Sequence, residues 1–203
     1  AAMRKAEPVA AAKIKTLVNT HHNGDHCYGN ECCEGAEIIA HKLAKEAMTH
    51  EGPELLVGFL KAAPDLGDVG TFLTKCFGAF DFAGVTQTLP TTTFETEITR
   101  QVGDKTIHIM HVGPAHTPGD ALVYVPADKT VFTGDILFIE GHPIMWEGPI
   151  ANWVDACNRI IAMDVETVVP GHGPITDKKG VAAMRDYLIS TEKEARKRYD
   201  AGL

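Results

Sequence analysis

Features that mark nucleic-acid-binding or membrane proteins are missing from this sequence. It has 19 Lys and Arg against 27 Asp and Glu, a formal net charge of −8, and no Lys/Arg-rich run on a candidate binding face. Because affinity for nucleic acid comes largely from neutralised phosphates, we expect no nucleic-acid partner. No stretch approaches the roughly 18 consecutive apolar residues that span a bilayer, and residues 1–17 show no charged-then-apolar leader. We therefore expect no membrane partner.

Paired cysteine motifs are also missing. The five cysteines are Cys27, Cys32, Cys33, Cys76 and Cys157, an odd number without CxxC spacing. This pattern suits reduced thiols better than a disulfide framework. We therefore predict a cytoplasmic location.

The sequence instead has the composition of an ordinary globular enzyme. Its 203 residues are 44% apolar and 23% charged, which suits a single domain over residues 1–203 with one hydrophobic core. Helical spacing predicts helices at residues 3–13, 41–50, two within 52–84, 151–163, and from 177 onward. Alternation and β-branched runs predict strands at residues 14–19, 37–40, within 89–112 around a turn at Gly103-Asp104, 121–126, 130–133 and 166–169. This mixture indicates an α/β fold.

Residues that bind metals follow four of the predicted strands. They lie in the loop at 20–30, in the loop after Val112, at the end of the 130–133 strand, and in the loop after Val169. Zinc takes imidazole and carboxylate ligands that converge on one point. The predicted ligands are His21, Asp25, His26, His116, Asp135 and His172.

The local motifs resemble a known family. Residues 20–26 read THHNGDH, residues 113–120 GPAHTPGD, residues 132–135 FTGD and residues 170–173 PGHG. In this order they resemble the motifs of the metallo-β-lactamase superfamily, whose first motif is HxHxDH. Asn23 departs from that pattern and makes it HxNxDH.

The resemblance implies a four-layer αβ/βα sandwich. Family members have several strands ahead of the first motif, so we expect this chain to lack its N-terminal strands. The resemblance assigns a first metal position to His21, Asn23 and His116. It assigns a second position to Asp25, His26 and His172, with Asp135 bridging the two.

The replacement at Asn23 affects the predicted metal content. A neutral amide oxygen is a poorer zinc ligand than imidazole, so we expect one tightly bound Zn²⁺ at the second position. The first position is then weak or empty, with Asn23 as a weak ligand or a polar site residue.

The resemblance implies a zinc-dependent hydrolase that uses metal-bound hydroxide. Zinc lowers the pKa of bound water toward about 7. Asp25 and His116 are the predicted catalytic residues. Asp25 would orient the water or take its proton, and His116 would act as a ligand or as a hydrogen-bond donor.

The substrate expected is a small-molecule ester, lactone, thioester or amide. One alternative is a hydrolytic dehalogenase-type enzyme that acts on an activated ring. Another is a non-catalytic metal-binding module, since a fold does not establish activity.

Other regions allow more than one interpretation. Trp146, Trp153, Phe138 and Met145 suit a pocket wall or ordinary core packing. The 52–84 segment suits the core or a dimer surface better than a lid, and we expect a homo-oligomer. His22 falls between motif positions, where we expect it to face solvent or to support the ligands from outside.

Overall fold

Two β-sheets form the centre of the molecule in the computed structural model, which describes residues 14–203. The helix predicted at residues 3–13 lies outside this range. The strands are β1 (Thr16–Val18), β2 (Glu37–His41), β3 (Thr92–Phe94), β4 (Glu97–Val102), β5 (Lys105–His111), β6 (Ala121–Val125), β7 (Thr130–Phe138) and β8 (Thr167–His172). The α-helices are α1 (Gly24–Cys27), α2 (Lys42–His50), α3 (Pro53–Ala62), α4 (Gly67–Phe77), α5 (Ile150–Ala162) and α6 (Lys178–Asp200).

The two sheets differ in strand direction. The first contains β1, β2 and β3 in that order, all parallel. The second runs β4-β5-β6-β7-β8, antiparallel except for the parallel pair β7 and β8. The predicted hairpin is confirmed, because Val102 pairs with Lys105 around Gly103. The φ of Gly103 is +63°, a conformation that glycine adopts without steric cost.

Apolar side chains join four layers. One core lies between the two sheets and contains Ile39, Phe94, Ile109 and Ala121. The second lies between the five-stranded sheet and helices α5 and α6, and includes Val131, Ile136, Trp153, Ile160 and Leu188. Helix α2 packs on β2 and β3. The architecture is thus the predicted αβ/βα sandwich, and the expected lack of the family's N-terminal strands remains a prediction.

Side-chain caps fix where two of the outer helices begin. The Nδ1 atom of His41 accepts from the backbone N–H of Leu43 at the start of α2. Asp177 accepts from the backbone N–H of Lys179 at 2.7 Å and starts α6. Both caps satisfy amide groups that have no partner within a helix.

Strand β7 corrects one predicted boundary. We expected it to end at Thr133 and to place Asp135 just beyond its end, but the strand continues to Phe138. The pairing with β8 shifts register around Gly134, which has a φ of +50°. The irregularity bends the strand without ending it. Asp135 therefore projects from the interior of a strand.

The 52–84 segment forms two helices, as predicted, but they do not pack over the core. Among the described residues of α3 only Pro53 is buried, and in α4 only Gly70. Within residues 14–203, no helix combines the length and the apolar composition that a membrane crossing requires.

Candidate metal centre

The first motif folds into helical turns, which corrects the predicted loop at residues 20–30. Helix α1 covers Gly24–Cys27 and a 3₁₀ helix covers Tyr28–Cys33. The carbonyl of Asn23 accepts from the backbone N–H groups of His26 and Cys27 at 3.0 and 3.1 Å. This turn brings Asp25 and His26 close together at the edge of the sheets.

Two amide side chains that the sequence interpretation missed hold this turn in place. Asn19 and Asn30 are buried and exchange two hydrogen bonds of 2.9 Å each. Asn19 Nδ2 also donates to the carbonyl oxygen of His26 at 3.2 Å. In the sequence, the signal for this contact was Asn19, which directly follows β1.

The first cluster of candidate ligands is buried and contains His21, His116 and Asp135. Their candidate ligand atoms all lie within 4.8 Å of one another. Asp135 Oδ2 is 3.6 Å from His21 Nε2 and 3.3 Å from His116 Nε2. We call these three residues the buried half of the site.

The second cluster reaches the surface and contains Asp25, His26 and His172. The Nε2 atoms of His26 and His172 are 3.3 Å apart. Asp25 Oδ2 lies 3.3 Å from the first and 3.4 Å from the second. We call these three residues the exposed half.

Asp135 connects the two halves. Its Oδ1 atom lies 3.1 Å from His26 Nε2, and its Oδ2 atom lies 3.3 Å from His172 Nε2. Gly171 permits this approach, because a Cβ there would collide with Asp135 Oδ1. The four predicted histidine ligands therefore surround one carboxylate, and Asp25 contacts two of them, His26 and His172.

Hydrogen bonds orient the buried imidazoles. The carbonyl of Ile144 is 2.7 Å from His116 Nδ1, so Nδ1 donates and Nε2 is unprotonated in the neutral ring. His21 Nδ1 is 3.1 Å from Thr20 Oγ1. His21 Nε2 is buried without a hydrogen-bond partner, and Asp135 Oδ1 faces His26 Nε2 at 3.1 Å. Buried polar atoms are rarely left unpaired, and these are atom types that bind zinc, so the residues fit a metal.

The two halves have opposite protonation tendencies. Burial lowers the pKa of His21 to about 3 and also lowers the pKa of His116. Burial acts in the same direction on His26, but hydrogen bonds to Asp135 and Asp25 outweigh it and raise its pKa to about 9. The hydrogen bond to His26 lowers the pKa of Asp25 to about 2.

Asn23 lies at the buried half. Its Nδ2 atom is 3.1 Å from His116 Nε2, the ring nitrogen that also faces Asp135. The amide thus takes the place that the resemblance assigns to a third imidazole. Rotating the amide would present its oxygen to the same point.

A buried carboxylate outside the predicted set supports the His116 loop. Asp120 accepts from the backbone N–H of Thr117 at 2.8 Å and from its hydroxyl at 2.7 Å. Burial raises the pKa of Asp120 to about 7. Asp120 follows His116 by four positions in the sequence, but the motif alone did not assign it a role.

The aromatic residues near Asp135 divide between the two interpretations left open for them, a pocket wall and core packing. Trp153 is fully buried and donates from Nε1 to the carbonyl of Ile136 at 2.9 Å, so it belongs to the core. Trp146 is 64% exposed. Phe138 does border the site, because its ring stacks on His172 at a centroid distance of 5.0 Å.

His22 does not face solvent, which corrects one of the two positions that we expected for it. It is 7% exposed, and its Nε2 atom lies 3.2 Å from Glu51 Oε2. It therefore lies beside the ligand turn, with its Nε2 atom directed to Glu51.

The fold has solved counterparts. A metallo-beta-lactamase from Pontibacter korlensis superposes with a TM-score of 0.63 at 19% identity, covering 91% of this chain and 73% of that chain. The DIM-1 metallo-beta-lactamase superposes with a TM-score of 0.60 at 18% identity, covering 86% and 67%. At such identities the similarity concerns the fold alone.

Curated relatives share more sequence. A probable hydroxyacylglutathione hydrolase of Schizosaccharomyces pombe is 28% identical over 163 residues, which is 78% of this chain and 48% of that protein. The hydroxyacylglutathione hydrolase of Rhizobium meliloti is 28% identical over 160 residues, 77% and 47%. The chain spans about half the length of these curated relatives.

A family profile covers most of the chain. The profile described as "Metallo-beta-lactamase superfamily" matches residues 1–172, which include the first three motifs, the fourth as far as His172, and all six clustered residues. The chain belongs to the metallo-beta-lactamase superfamily.

Proposed function

We propose that the chain is a zinc-dependent hydrolase that cleaves a small-molecule thioester or ester. The observation that carries this proposal is the meeting of two three-residue ligand sets on Asp135. The family and the curated relatives also indicate a metal-dependent hydrolase.

The relatives' substrates favour a thioester within the ester, lactone, thioester and amide classes. Their names specify hydroxyacylglutathione, whose acyl group is carried on sulfur. The net charge of −8 disfavours nucleic acid and other polyanions. An acyl thioester is therefore the first substrate class to test.

Metal stoichiometry follows from the ligand types. With Asp135 as a shared ligand, the exposed half offers two imidazoles and two carboxylates, which suits tetrahedral zinc. The buried half has the same shared carboxylate together with His21 and His116, but its remaining group is the weaker amide of Asn23. We propose one tightly bound Zn²⁺ at the exposed half and a weak or empty buried half.

Each half contributes differently to hydrolysis. A bound divalent metal would lower the pKa of a water molecule and polarise the substrate carbonyl. Asp25 is 60% exposed at its side chain and stays ionised, so it is placed to orient the attacking water and to accept its proton. His116 presents an unprotonated Nε2 and therefore acts as a ligand rather than as a donor.

Three broader expectations belong to the same proposal. Residues 1–203 form one hydrolase domain, the protein is a homo-oligomer, and its location is cytoplasmic. Cys27, Cys33 and Cys157 are buried, and no disulfide forms among the described residues, which supports a reducing compartment.

A substrate panel on zinc-loaded protein tests the proposal. We expect thiol release from an acyl thioester to exceed the turnover of lactones and amides. His172→Ala should lose this activity, and His22→Ala, a matched control in the same loop region, should keep it. Phosphodiester cleavage faster than thioester cleavage would refute the proposed substrate class.

The same panel separates the alternatives. An activated aryl halide reports dehalogenase-type chemistry through halide release without carboxylate release. Zinc binding without turnover of any substrate would support a non-catalytic metal-binding module.

A further inference from the structure

We propose that His111 is a positioning residue for the metal ligand His116. The ring of His111 donates a hydrogen bond that fixes the His116 loop, residues 112–120, and the plane of this ring is set by stacking on His41. The inference rests on the proposed function only where it concerns turnover. Its first test uses metal-free protein, so its failure is separate from a failure of the proposed activity.

The loop joins two antiparallel strands. Strand β5 ends at His111, which pairs with Ala121 at the start of β6. The carbonyl of Asp120 closes the base of the loop, because it accepts from the backbone N–H groups of Val112 and Gly113 at 2.9 and 3.2 Å. The part of the loop that carries the metal ligand lies beyond this closure and needs contacts of its own.

Two side chains hold that part of the loop. Asp120 accepts from the backbone N–H and the hydroxyl of Thr117. His111 binds the next residue, because its Nε2 atom lies 3.0 Å from the carbonyl oxygen of Pro118. A carbonyl oxygen only accepts, so His111 Nε2 carries the proton and donates. Since proline has no N–H group, this carbonyl is its only main-chain hydrogen-bonding group, and the bond fixes the chain two residues beyond His116.

Two glycines of the loop leave room for these contacts. A Cβ atom at Gly113 would lie 2.8 Å from the carbonyl oxygen of Pro118 and 3.0 Å from His111 Nε2. A Cβ atom at Gly119 would lie 2.5 Å from the backbone nitrogen of Ala44 in the first turn of α2. The loop therefore has no side chain at the two points where it meets His111 and α2.

His41 fixes the plane of the His111 ring. The two imidazoles are stacked, with centroids 3.7 Å apart and planes at 1° to each other. His41 is buried, and both of its ring nitrogens have partners. Its Nε2 atom lies 2.8 Å from the carbonyl oxygen of Glu95, and its Nδ1 atom accepts from the backbone N–H of Leu43. A ring held at both nitrogens is a rigid support for the ring stacked on it.

Stacking is favoured because His41 is neutral. Its Nδ1 atom accepts a hydrogen bond from Leu43 and therefore has no proton. Burial, and after it the charge interaction with His111, lowers the pKa of His41. The side chain of Lys42 acts in the same direction, while the carbonyl and the side chain of Glu95 oppose it. The ring that supports His111 therefore carries no charge at neutral pH.

The stacked pair connects both sheets to the metal centre. His41 ends β2 of the first sheet, and His111 ends β5 of the second. The loop that His111 holds places His116 Nε2 at 3.3 Å from Asp135 Oδ2, the carboxylate that both halves share. A displaced loop would move this ring away from Asp135. Loss of a group that orients a metal ligand commonly lowers metal affinity or activity about 10- to 100-fold.

Three substitutions separate the hydrogen bond from the packing of the ring. His111→Phe keeps a flat ring on His41 and removes the donor. His111→Gln removes the ring and keeps an amide N–H group near the position of Nε2. His108→Phe is the matched control, because it makes the same exchange on the same strand, where the His108 ring lies 6.3 Å from that of Tyr124.

The first measurement is solvent exchange of the His116 ring proton, followed by NMR on metal-free protein with isotope-labelled histidine. In the wild type this proton is on Nδ1 and is donated to the Ile144 carbonyl at 2.7 Å. We expect His111→Phe to speed exchange at least about tenfold, because the Pro118 carbonyl loses its donor and the loop opens more often. His111→Gln and the His108→Phe control should exchange as slowly as wild type.

The second measurement is turnover of an acyl thioester by zinc-loaded protein. His111→Phe should lower kcat about tenfold or more, and His111→Gln and His108→Phe should stay near wild type. Slow exchange in His111→Phe, or a His111→Gln variant impaired as much as His111→Phe, would overturn the proposal. Circular dichroism checks folding, and if His111→Phe does not fold, retained slow exchange in His111→Gln decides in favour and fast exchange against. If the wild type hydrolyses no thioester, the proposed function fails and the exchange rates still decide this proposal.

Discussion

The two halves of the metal centre differ in burial and in protonation. The buried half holds His21 and His116 as neutral imidazoles whose orientation is fixed by hydrogen bonds. The exposed half holds His26, whose carboxylate neighbours favour its protonated form, and His172 and Asp25 at the surface.

This difference separates preorganisation from ligand strength. The buried half is ready for a metal without losing a proton, but one of its positions carries an amide. The exposed half has stronger ligands but must release a proton from His26 before a metal binds. Ligand type therefore favours zinc binding at the exposed half, whereas protonation favours zinc binding at the buried half. Substitutions of single residues show which of the two effects is larger.

The largest expected effect comes from removing the residue that both halves share. Asp135→Ala should abolish tight zinc binding and lower hydrolysis by about a thousandfold or more, since the metal accounts for a shift of almost nine units in the pKa of water. Elemental analysis after dialysis against a chelator measures the zinc. Retention of one zinc per chain would show that the halves are independent.

Next in size is the loss of the exposed half alone. His172→Ala should lose zinc and activity together, because only three ligands remain there. His22→Ala should change both little, since His22 contacts Glu51. If His172→Ala keeps its zinc, the tight site lies in the buried half.

A substitution that adds a ligand to the buried half tests the same difference between the two halves. Asn23→His restores an imidazole beside His116 and should raise zinc content from one toward two per chain. Inductively coupled plasma analysis of both proteins, prepared in parallel, decides this. A wild-type chain that already holds nearly two zinc ions would contradict the single-metal proposal.

The sequence predicted residue types better than local geometry. The order of the four motifs was enough to predict six residues that the fold brings together. The backbone around them was not predictable in the same way. Gly134 bends β7 where it passes Thr20, and that contact joins residues far apart in the chain.

Helical periodicity had a similar limit. It predicted α3 and α4 and their apolar stripes, but it does not specify what lies against a stripe. Trp153 shows the same limit, because the sequence left it open between a pocket wall and the core, and the structure places it in the core, where its indole donates to the Ile136 carbonyl. Burial depends on the packing of distant elements.

The smallest expected effect is on the number of protons that the protein releases when zinc binds. The pKa of His26 is raised to about 9, so near pH 6 it is protonated without metal and must release a proton when zinc binds. The pKa of His21 is about 3, so filling the buried half releases no proton from His21 at that pH. A bound water keeps its protons near pH 6, because its pKa is about 7.

Zinc titrations by calorimetry in buffers of different ionisation enthalpy measure this release. The His26 contribution should persist up to neutral pH and disappear as the pH rises through about 9, where His26 is already neutral in the metal-free protein. His26→Gln, titrated with saturating zinc near pH 6, should release about one proton fewer than wild type. Equal proton release by the two proteins would mean that zinc enters the buried half first and leaves His26 protonated.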